Sequence, residues 1–324
     1  MSLEKANKLR VVILSGSGKM IVTPLIEQGV NVVGLSEVYD EFGNMGRLKQ
    51  GLEKIFWSLI KRCSNPYLSW YARKQEISYF EKNKSSTTDY IKWLKNLNPD
   101  LLILHLGPVI PADIFKIPRL GTINIHPSLL PKYRGSNPYF WLYYNFDMNA
   151  GITLHFIDDS VDTGNIIGQG SYQIECGTPA SEVGSNLVSN YAVPLLLNAI
   201  QELENTGELD SIPQQSASPT PYARRVTNKE YFELLDFECW SIEHLWHVLH
   251  SNEQWRSVFL PKIKDSEKYD WTLDYFKKMK VNAPYGSIYK DAQGFYIAHC
   301  EGGIYLKKQY SAKRFIKNII NHFK

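Results

Sequence analysis

Three side chains with complementary chemistry stand at the ends of two short apolar segments. Asn124 and His126 lie two residues apart at the end of the first segment, so both point to the same side of a strand. Asp162 lies in the turn that follows the second segment, residues 152–157. An amide and an imidazole can donate hydrogen bonds to a developing negative charge, and an imidazole beside a carboxylate can move a proton. Open α/β sheets place their chemistry at such strand ends.

The residues around this trio carry three motifs, which are N-I-H at 124–126, S-L-L-P-K-Y-R-G at 128–135 and V-D-T-G at 161–164. In their order and spacing they resemble the folate-dependent formyltransferases, which include methionyl-tRNA formyltransferase, glycinamide ribonucleotide formyltransferase and the sugar N-formyltransferases. The resemblance implies that N10-formyltetrahydrofolate is the co-substrate, that a primary amine is formylated and that no metal takes part. It also implies that Asn124, His126 and Asp162 are the catalytic residues. One departure is Ser160, where many members have glycine.

The same resemblance implies binding residues for both substrates. A loop after the apolar run 101–104 corresponds to the family's pterin-binding segment, where small residues let a flat ring approach the backbone and Pro108 removes one donor. The implied cofactor-binding residues are Gly107, Pro108, Val109, Ile110, Ile157, Asp158 and Asp159. The implied substrate-binding residues are Ser15, Gly16, Ser128, Arg134 and Gly135. For Arg134, contact with a folate carboxylate or substrate phosphate and a purely structural role both stay open.

The N-terminal part of the chain reads as a βαβ unit. An apolar strand at 9–14 is followed by a glycine loop at 15–18, a helix at 20–28 and a second strand at 30–35. The loop matches neither a P-loop nor the GxGxxG fingerprint, so an anion cradle and a plain tight turn are both open. We expect an α/β fold with a Rossmann-like, open, mostly parallel sheet, helices on both faces and a smaller β-rich C-terminal region.

Composition divides the chain into a catalytic domain at 1–205, a linker at 206–221 that is rich in Gly, Ser, Pro and Gln, and a C-terminal domain at 222–324. The C-terminal domain is expected to be β-rich and barrel-like, with helices at 240–250 and 269–279, a basic terminal helix, and a role in homodimer formation. Within the catalytic domain, a helix at 179–203 should kink or break at Pro194.

Two other stretches have a chemical and a structural interpretation. Residues 40–84 form an aromatic, mixed-charge insertion, for which a solvated helical hairpin is favoured over contact with an anionic partner or a membrane surface. His244, His247 and His250 are spaced by three residues, but no metalloenzyme motif accompanies them in the sequence, so we expect a polar helix face.

The composition argues against several classes of protein. The net charge of +3 gives no strong electrostatic case for nucleic acid binding. The four cysteines are scattered without a CxxC pair, which is typical of reduced thiols in a cytoplasmic protein. No apolar run approaches the roughly 20 residues that a membrane-spanning helix needs.

The amine acceptor is not fixed by these residues. The leading hypothesis is a nucleotide-linked amino sugar, because the C-terminal half departs from the tRNA enzyme and the 20 Tyr and 8 Trp offer stacking surfaces. Methionyl-tRNA is the competing acceptor, and it predicts a basic surface with steep salt dependence of binding. A formyltetrahydrofolate hydrolase and a non-catalytic folate-binding module are the remaining alternatives.

Overall fold

A seven-stranded sheet carries Asn124 and His126 at the end of one of its strands. The computed structural model describes residues 8–16, 19–37, 68–81, 86–264, 266 and 269–309. The strands are β1 Val11–Ser15, β2 Val32–Glu37, β3 Ser78–Phe80, β4 Leu101–His105, β5 Thr122–His126, β6 Asn149–Phe156 and β7 Ile166–Gln173. Their order is β3-β2-β1-β4-β5-β6-β7, with neighbours parallel from β3 to β5 and with β6 antiparallel to β5. The predicted α/β fold with a mostly parallel sheet is confirmed.

The helices of the described residues are mostly short. They are α1 Val22–Glu27, α2 Leu68–Lys74, α3 Thr87–Leu97, α4 Ala112–Phe115, α5 Pro138–Tyr144, α6 Ala180–Leu187, α7 Val193–Thr206, α8 Asn228–Leu234, α9 Ile242–Leu249 and α10 Gln254–Phe259. No helix among these ranges is long and apolar enough to cross a membrane. Most of the insertion predicted at 40–84 as a helical hairpin, and the predicted basic terminal helix, lie outside the described residues.

Continuous apolar runs place β1 and β4 in the centre of the sheet. Every residue of both strands is buried, as expected for parallel strands that are covered on both faces. Helix α3 begins with a capping box, in which Ser86 and Asp89 satisfy each other's backbone N–H groups. It ends at Asn98, whose left-handed φ of 42° leads into Pro99 and β4. Local sequence signals therefore determine where α3 ends and where β4 begins.

The predicted interruption at Pro194 is present. A π-helical turn, Val188–Ala192, separates α6 from α7, and Pro194 lies in the first turn of α7. Proline has no N–H for the preceding helical turn and its ring crowds the carbonyl four residues earlier. A widened turn just before the proline relieves this conflict.

Internal contacts divide the chain into two units. The first unit comprises residues 1–135, 151–171 and 185–222, and the second comprises residues 136–150, 172–184 and 223–324. The second unit therefore includes two stretches from the region predicted as catalytic domain. The reason is burial: Phe140 of α5 is fully buried in the hydrophobic core that Tyr231 and Trp271 also form.

A four-stranded antiparallel sheet forms the β part of the second unit, in the order β8-β11-β10-β9. Its strands are β8 Asp270–Lys278, β9 Ile288–Lys290, β10 Phe295–His299 and β11 Gly302–Gln309. The helix predicted at 269–279 is therefore wrong. A bulge at Asp274 shifts the register of β8 against β11, so Leu273 and Phe276 pack on the same core although they are three residues apart. Apolar residues three positions apart are also typical of one face of a helix, which explains the wrong prediction.

His244 and His247 of α9, and His250 at its C-terminal end, do not form an open polar face. His247 is fully buried, stacks on Tyr143 at 4.2 Å between ring centroids and accepts a hydrogen bond from the Gly177 N–H at Nδ1. Its Nε2 makes no hydrogen bond. Burial, followed by the neighbouring His244 and His250, lowers the pKa of His247 to about 4. Within the described residues no cluster of His, Cys, Asp or Glu could hold a metal ion.

This buried imidazole makes stability depend on pH. The unfolded chain binds the His247 proton near pH 6.5 and the folded chain only near pH 4, so the unfolded state holds more protons between these values. The free energy of unfolding should therefore fall, by about 3 kcal/mol from this group, as the pH drops through that window. In His247→Asn, whose Oδ1 can replace Nδ1 as acceptor, this pH dependence should weaken in urea unfolding curves. An unchanged slope of stability against pH would contradict the assignment.

Candidate active site

The antiparallel pairing of β5 with β6 brings four polar side chains together. Asn124 lies directly opposite His155, and His126 lies opposite Thr153. His126 and His155 are buried, and their ring centroids lie 6.3 Å apart. An otherwise apolar strand pair therefore presents an amide and two imidazoles at its end.

The turn after β6 supplies the carboxylate. Asp162 adopts a left-handed backbone conformation with φ of 54°, which is unusual for a residue other than glycine. Asp158 stabilises the turn by accepting hydrogen bonds from the Ser160 N–H and the Thr163 hydroxyl. Gly164 runs so close to the Phe156 carbonyl that an added Cβ would lie 1.9 Å from its oxygen. These local contacts turn the Asp162 side chain back towards the strands.

The three predicted catalytic side chains meet at the Asp162 carboxylate. Its Oδ2 accepts a hydrogen bond from the Gly135 N–H at 2.9 Å and lies 3.5 Å from His126 Nδ1. Its Oδ1 lies 3.4 Å from Asn124 Nδ2. His126 Nε2 lies 3.0 Å from the Tyr133 carbonyl oxygen, which fixes the proton of a neutral ring on Nε2 and leaves Nδ1 facing the carboxylate.

Burial and neighbouring charge act in opposite directions on the pKa of His126 and, likewise, on the pKa of Asp162. Burial lowers the pKa of His126, and although Asp162 acts to raise it, the pKa stays below its ordinary value. Burial acts to raise the pKa of Asp162, but His155 and His126 in their protonated forms, together with the Gly135 N–H, hold that pKa below its ordinary value. At neutral pH the site therefore contains a carboxylate beside a neutral imidazole that has Nδ1 ready to accept a proton.

His155 is a site residue that the sequence analysis missed. Its Nδ1 lies 2.8 Å from the Phe156 carbonyl oxygen and its Nε2 lies 3.0 Å from Asn124 Nδ2. In the neutral ring Nδ1 therefore carries the proton and Nε2 accepts from Asn124, which orients the amide. The available signal was a single histidine inside the apolar run of β6. Its partner across the sheet could not be read without the strand register.

Removing this acceptor should weaken catalysis. His155→Phe keeps a ring of similar shape but leaves the Asn124 amide without its 3.0 Å partner. We expect kcat to fall roughly tenfold, since a lost hydrogen bond of this kind costs about 1 kcal/mol or slightly more. Steady-state kinetics should show this loss in the wild-type background and little further loss in Asn124→Ala. Full additivity of the two substitutions would contradict the positioning role.

The predicted substrate-binding residues occupy different environments. Ser15 is buried at the end of β1, and the Gly16 N–H donates to the His105 carbonyl. The Ser128 hydroxyl donates to the Lys132 carbonyl and thereby closes its own loop. Gly135 contacts Asp162 through its N–H. The structure thus brings Gly135 to the catalytic trio and uses Ser128 within the loop that precedes it.

Arg134 contacts the protein's own chain. It is 8% exposed, and its guanidinium donates to Gln214 Oε1 and to the carbonyls of Gln215 and Ser216 at 2.8–3.2 Å. Of the two interpretations left open above, the structural one describes these contacts. A substrate anion would have to compete with them.

The predicted cofactor-binding residues lie in two loops. Ile110 is buried in an apolar cluster against which Ile157 also packs, so the structure brings these two together. Gly107 and Val109 are exposed and Pro108 is half-buried. Asp159 forms a surface ion pair with Lys116, and Asp158 closes the turn described above. The first loop therefore offers exposed backbone beside an apolar surface, which suits a flat heterocycle.

This arrangement can carry out acyl transfer without a protein nucleophile. Asn124 can donate an N–H to a carbonyl oxygen in place of its long 3.4 Å contact with Asp162. His126 Nδ1 can accept a proton, and the adjacent carboxylate stabilises the resulting imidazolium. A mostly parallel sheet with these groups at its strand ends suits a group-transfer enzyme.

Comparison with known proteins identifies the family. The profile described as "Formyl transferase" matches residues 9–191. A methionyl-tRNA formyltransferase from Ruminiclostridium cellulolyticum is 26% identical over 88% of this chain and 85% of its own length. The bifunctional polymyxin resistance protein ArnA from Wigglesworthia glossinidia brevipalpis is 33% identical over 49% of this chain, but the match spans only 24% of ArnA. The chain belongs to the formyl transferase family and is a formyltransferase.

A solved structure shares the fold over nearly the whole chain. The crystal structure of WlaRD, a sugar 3N-formyl transferase crystallised with dTDP and 5-N-formyl-THF, covers 94% of this chain and 98% of its own. The TM-score is 0.59 and the sequence identity is 16%, so this likeness concerns the fold alone.

Proposed function

We propose that the protein transfers a formyl group from N10-formyltetrahydrofolate to the primary amine of a nucleotide-linked amino sugar. The observation that carries the transfer reaction is the convergence of Asn124 and His126 on Asp162, at 3.4 and 3.5 Å. The catalytic roles of these residues are part of the proposal. The contacts of Gly107 to Ile110 and of Ile157 with the pterin ring are part of it as well.

In the proposed reaction the amine nitrogen bonds to the formyl carbon and the C–O double bond opens to an oxyanion. Asn124 Nδ2 donates to that oxygen, which concentrates the hydrogen bond where charge develops. His126 Nδ1 takes the proton that the amine loses, while Asp162 stabilises the imidazolium. When the bond between the formyl carbon and N10 breaks, the same proton passes to N10. The products are the formamide and tetrahydrofolate, and the enzyme returns to its starting state.

The sugar acceptor is supported by the acidic lining of a groove in the second unit. A groove of about 830 Å³ is bordered there by aromatic rings such as Trp240 and Tyr285 and by the carboxylates of Glu233, Asp236 and Glu238. Among the described residues that line the groove there is no lysine or arginine. A tRNA acceptor requires a basic surface, so an acidic groove favours a small acceptor.

Methionyl-tRNA is the second candidate acceptor. It is favoured by the match of the R. cellulolyticum methionyl-tRNA formyltransferase to 88% of this chain in sequence.

We further propose a cytoplasmic location, for which the free thiols of Cys176, Cys239 and Cys300 are the support. A homodimer through residues 222–324 stays a prediction that sedimentation of the full chain checks.

A panel assay tests the acceptor. Purified protein and N10-formyltetrahydrofolate are incubated with dTDP- and UDP-linked amino sugars, with methionyl-tRNA, or without an acceptor. Tetrahydrofolate release is followed by absorbance, and the formamide is identified by mass. We expect formylation of at least one amino sugar, with Asp162→Asn as the inactive control.

The other outcomes overturn the proposal in distinguishable ways. Formylation of tRNA alone removes the sugar and leaves formyl transfer intact. Release of formate without any formylated amine identifies a hydrolase. Binding of the folate without turnover in any arm identifies a non-catalytic module.

A further inference from the structure

Residues 212–220, which we call the strap, pass beside the catalytic residues after α7. Ile212 exchanges two backbone hydrogen bonds with Ile166 at the start of β7, both at 2.8 Å. Further along, the Ser218 hydroxyl donates to the Pro131 carbonyl at 2.7 Å, and Thr220 Oγ1 accepts from the Tyr133 N–H at 2.7 Å. Within the segment predicted as a linker, Ser218 and Thr220 therefore contact the loop at 131–135.

Gln214 is the strap residue whose side chain reaches both parts of the site. Its Nε2 donates to the carbonyls of Asp162 at 3.0 Å and Gly164 at 2.7 Å. Its Oε1 accepts two hydrogen bonds from Arg134, at 3.2 and 2.8 Å. The amide thus uses two donors and two acceptor positions, which is its full capacity. One side chain connects the turn of Asp162 with the loop that supplies Gly135.

Both parts that the strap contacts hold a non-glycine residue in the left-handed region. The φ angles are 54° at Asp162 and 56° at Tyr133. Each such residue costs about 1–2 kcal/mol and persists only where surrounding contacts hold it. The Asp162 carbonyl is held by Gln214, and the Tyr133 N–H by Thr220. The same Tyr133 provides the carbonyl that lies 3.0 Å from His126 Nε2.

We propose that Gln214 is a positioning residue for catalysis. It holds the Asp162 turn in its left-handed conformation so that the carboxylate stays opposite His126 Nδ1, and Arg134 anchors Gln214 from the other side. This inference rests on the proposed function of the catalytic trio. It also gives the 206–221 region a role beyond joining two parts of the chain.

Two variants of Gln214 and one control variant separate the contacts of the Gln214 side chain. Gln214→Met keeps the length of the chain and removes every hydrogen bond. Gln214→Glu keeps an acceptor for Arg134 but removes both donors to the turn. Gln215→Met is the matched control, because the Gln215 side chain is exposed and only its backbone carbonyl contacts Arg134.

We expect kcat to fall on the order of tenfold to a hundredfold in both Gln214 variants, since displacing a catalytic group by about 1 Å costs that much. The KM values for both substrates should change little, and Gln215→Met should match the wild type. The second readout is the pKa of His126 in an NMR titration, assigned with His126→Gln. In Gln214→Met this pKa should fall further, because the carboxylate that raises it moves away.

The outcomes separate a failure of the positioning role of Gln214 from a failure of the proposed function. Normal kcat in Gln214→Met, full recovery of kcat in Gln214→Glu, or an unchanged pKa of His126 in Gln214→Met overturns the positioning role. A fall of the His126 pKa in Gln214→Met but not in Gln215→Met, in a protein whose wild type formylates no amine, supports the positioning role while the proposed function fails.

Discussion

Asp162→Asn is expected to lower kcat by about 10³-fold, within the range that general acid–base groups supply. The substitution keeps the shape of the side chain, and an amide oxygen can still accept from the Gly135 N–H. It removes the negative charge opposite His126 Nδ1, which lies 3.5 Å away. Without that charge the imidazolium that forms during transfer loses its partner in a buried site, so the barrier rises.

Steady-state kinetics with the best acceptor of the panel measure this loss, and circular dichroism checks the fold. Asp210→Asn is the control, because it makes the same chemical change at an exposed carboxylate of the same unit. We expect it to retain wild-type activity. If Asp162→Asn kept more than about a tenth of the wild-type kcat, an electrostatic role of this size would be excluded.

Gly164→Ala is expected to damage both activity and stability. The added Cβ would lie 1.9 Å from the Phe156 carbonyl oxygen and 2.8 Å from its carbon, and backbone atoms cannot rotate away. Phe156 is also fixed by a hydrogen bond from its N–H to the Asn165 carbonyl at 3.0 Å. The turn must therefore shift and take Asp162 with it. We expect kcat to fall on the order of a hundredfold and the free energy of unfolding to fall by about 2–3 kcal/mol.

Gly207→Ala is the matched control for this substitution. Gly207 has a left-handed φ of 76°, but no atom lies within 4 Å of the position of its Cβ. It should lose only about 1 kcal/mol of stability through backbone strain and keep its activity. Urea unfolding and kcat are measured for both variants. Effects at position 164 no larger than those at position 207 would show that the contact with Phe156 does not displace the turn, since the backbone of Gly164, unlike that of Gly207, is not left-handed.

Much of the catalytic unit was readable because its signals are local. The apolar runs of β1 and β4 identified central strands, and the break at Pro194 followed from the missing N–H of proline. The motifs also placed Asn124 and His126 at a strand end and Asp162 in the turn after a strand, and the structure brings the first two within 3.4 and 3.5 Å of the Asp162 carboxylate.

The errors and omissions have a common cause. The strand at 270–278 was predicted as a helix because its bulge is defined only by pairing with β11. His155 was missed because its partner is set by the register of β5 against β6. The contacts of Gln214 with Arg134 and Asp162 join residues that are 80 and 52 positions apart. None of these relations is encoded in the spacing of neighbouring residues.

Local patterns in the chain were enough to identify the chemical groups and the strand ends at which they stand, because hydrophobic periodicity, proline and turn residues act over a few positions. Which of these groups touch each other depends on the folded chain as a whole. The tertiary structure paired Asn124 with His155, directed Arg134 towards Gln214, and brought residues 212–220 back to the catalytic turn. Such contacts depend on strand register and on the return of distant segments, which the packing of the whole unit fixes.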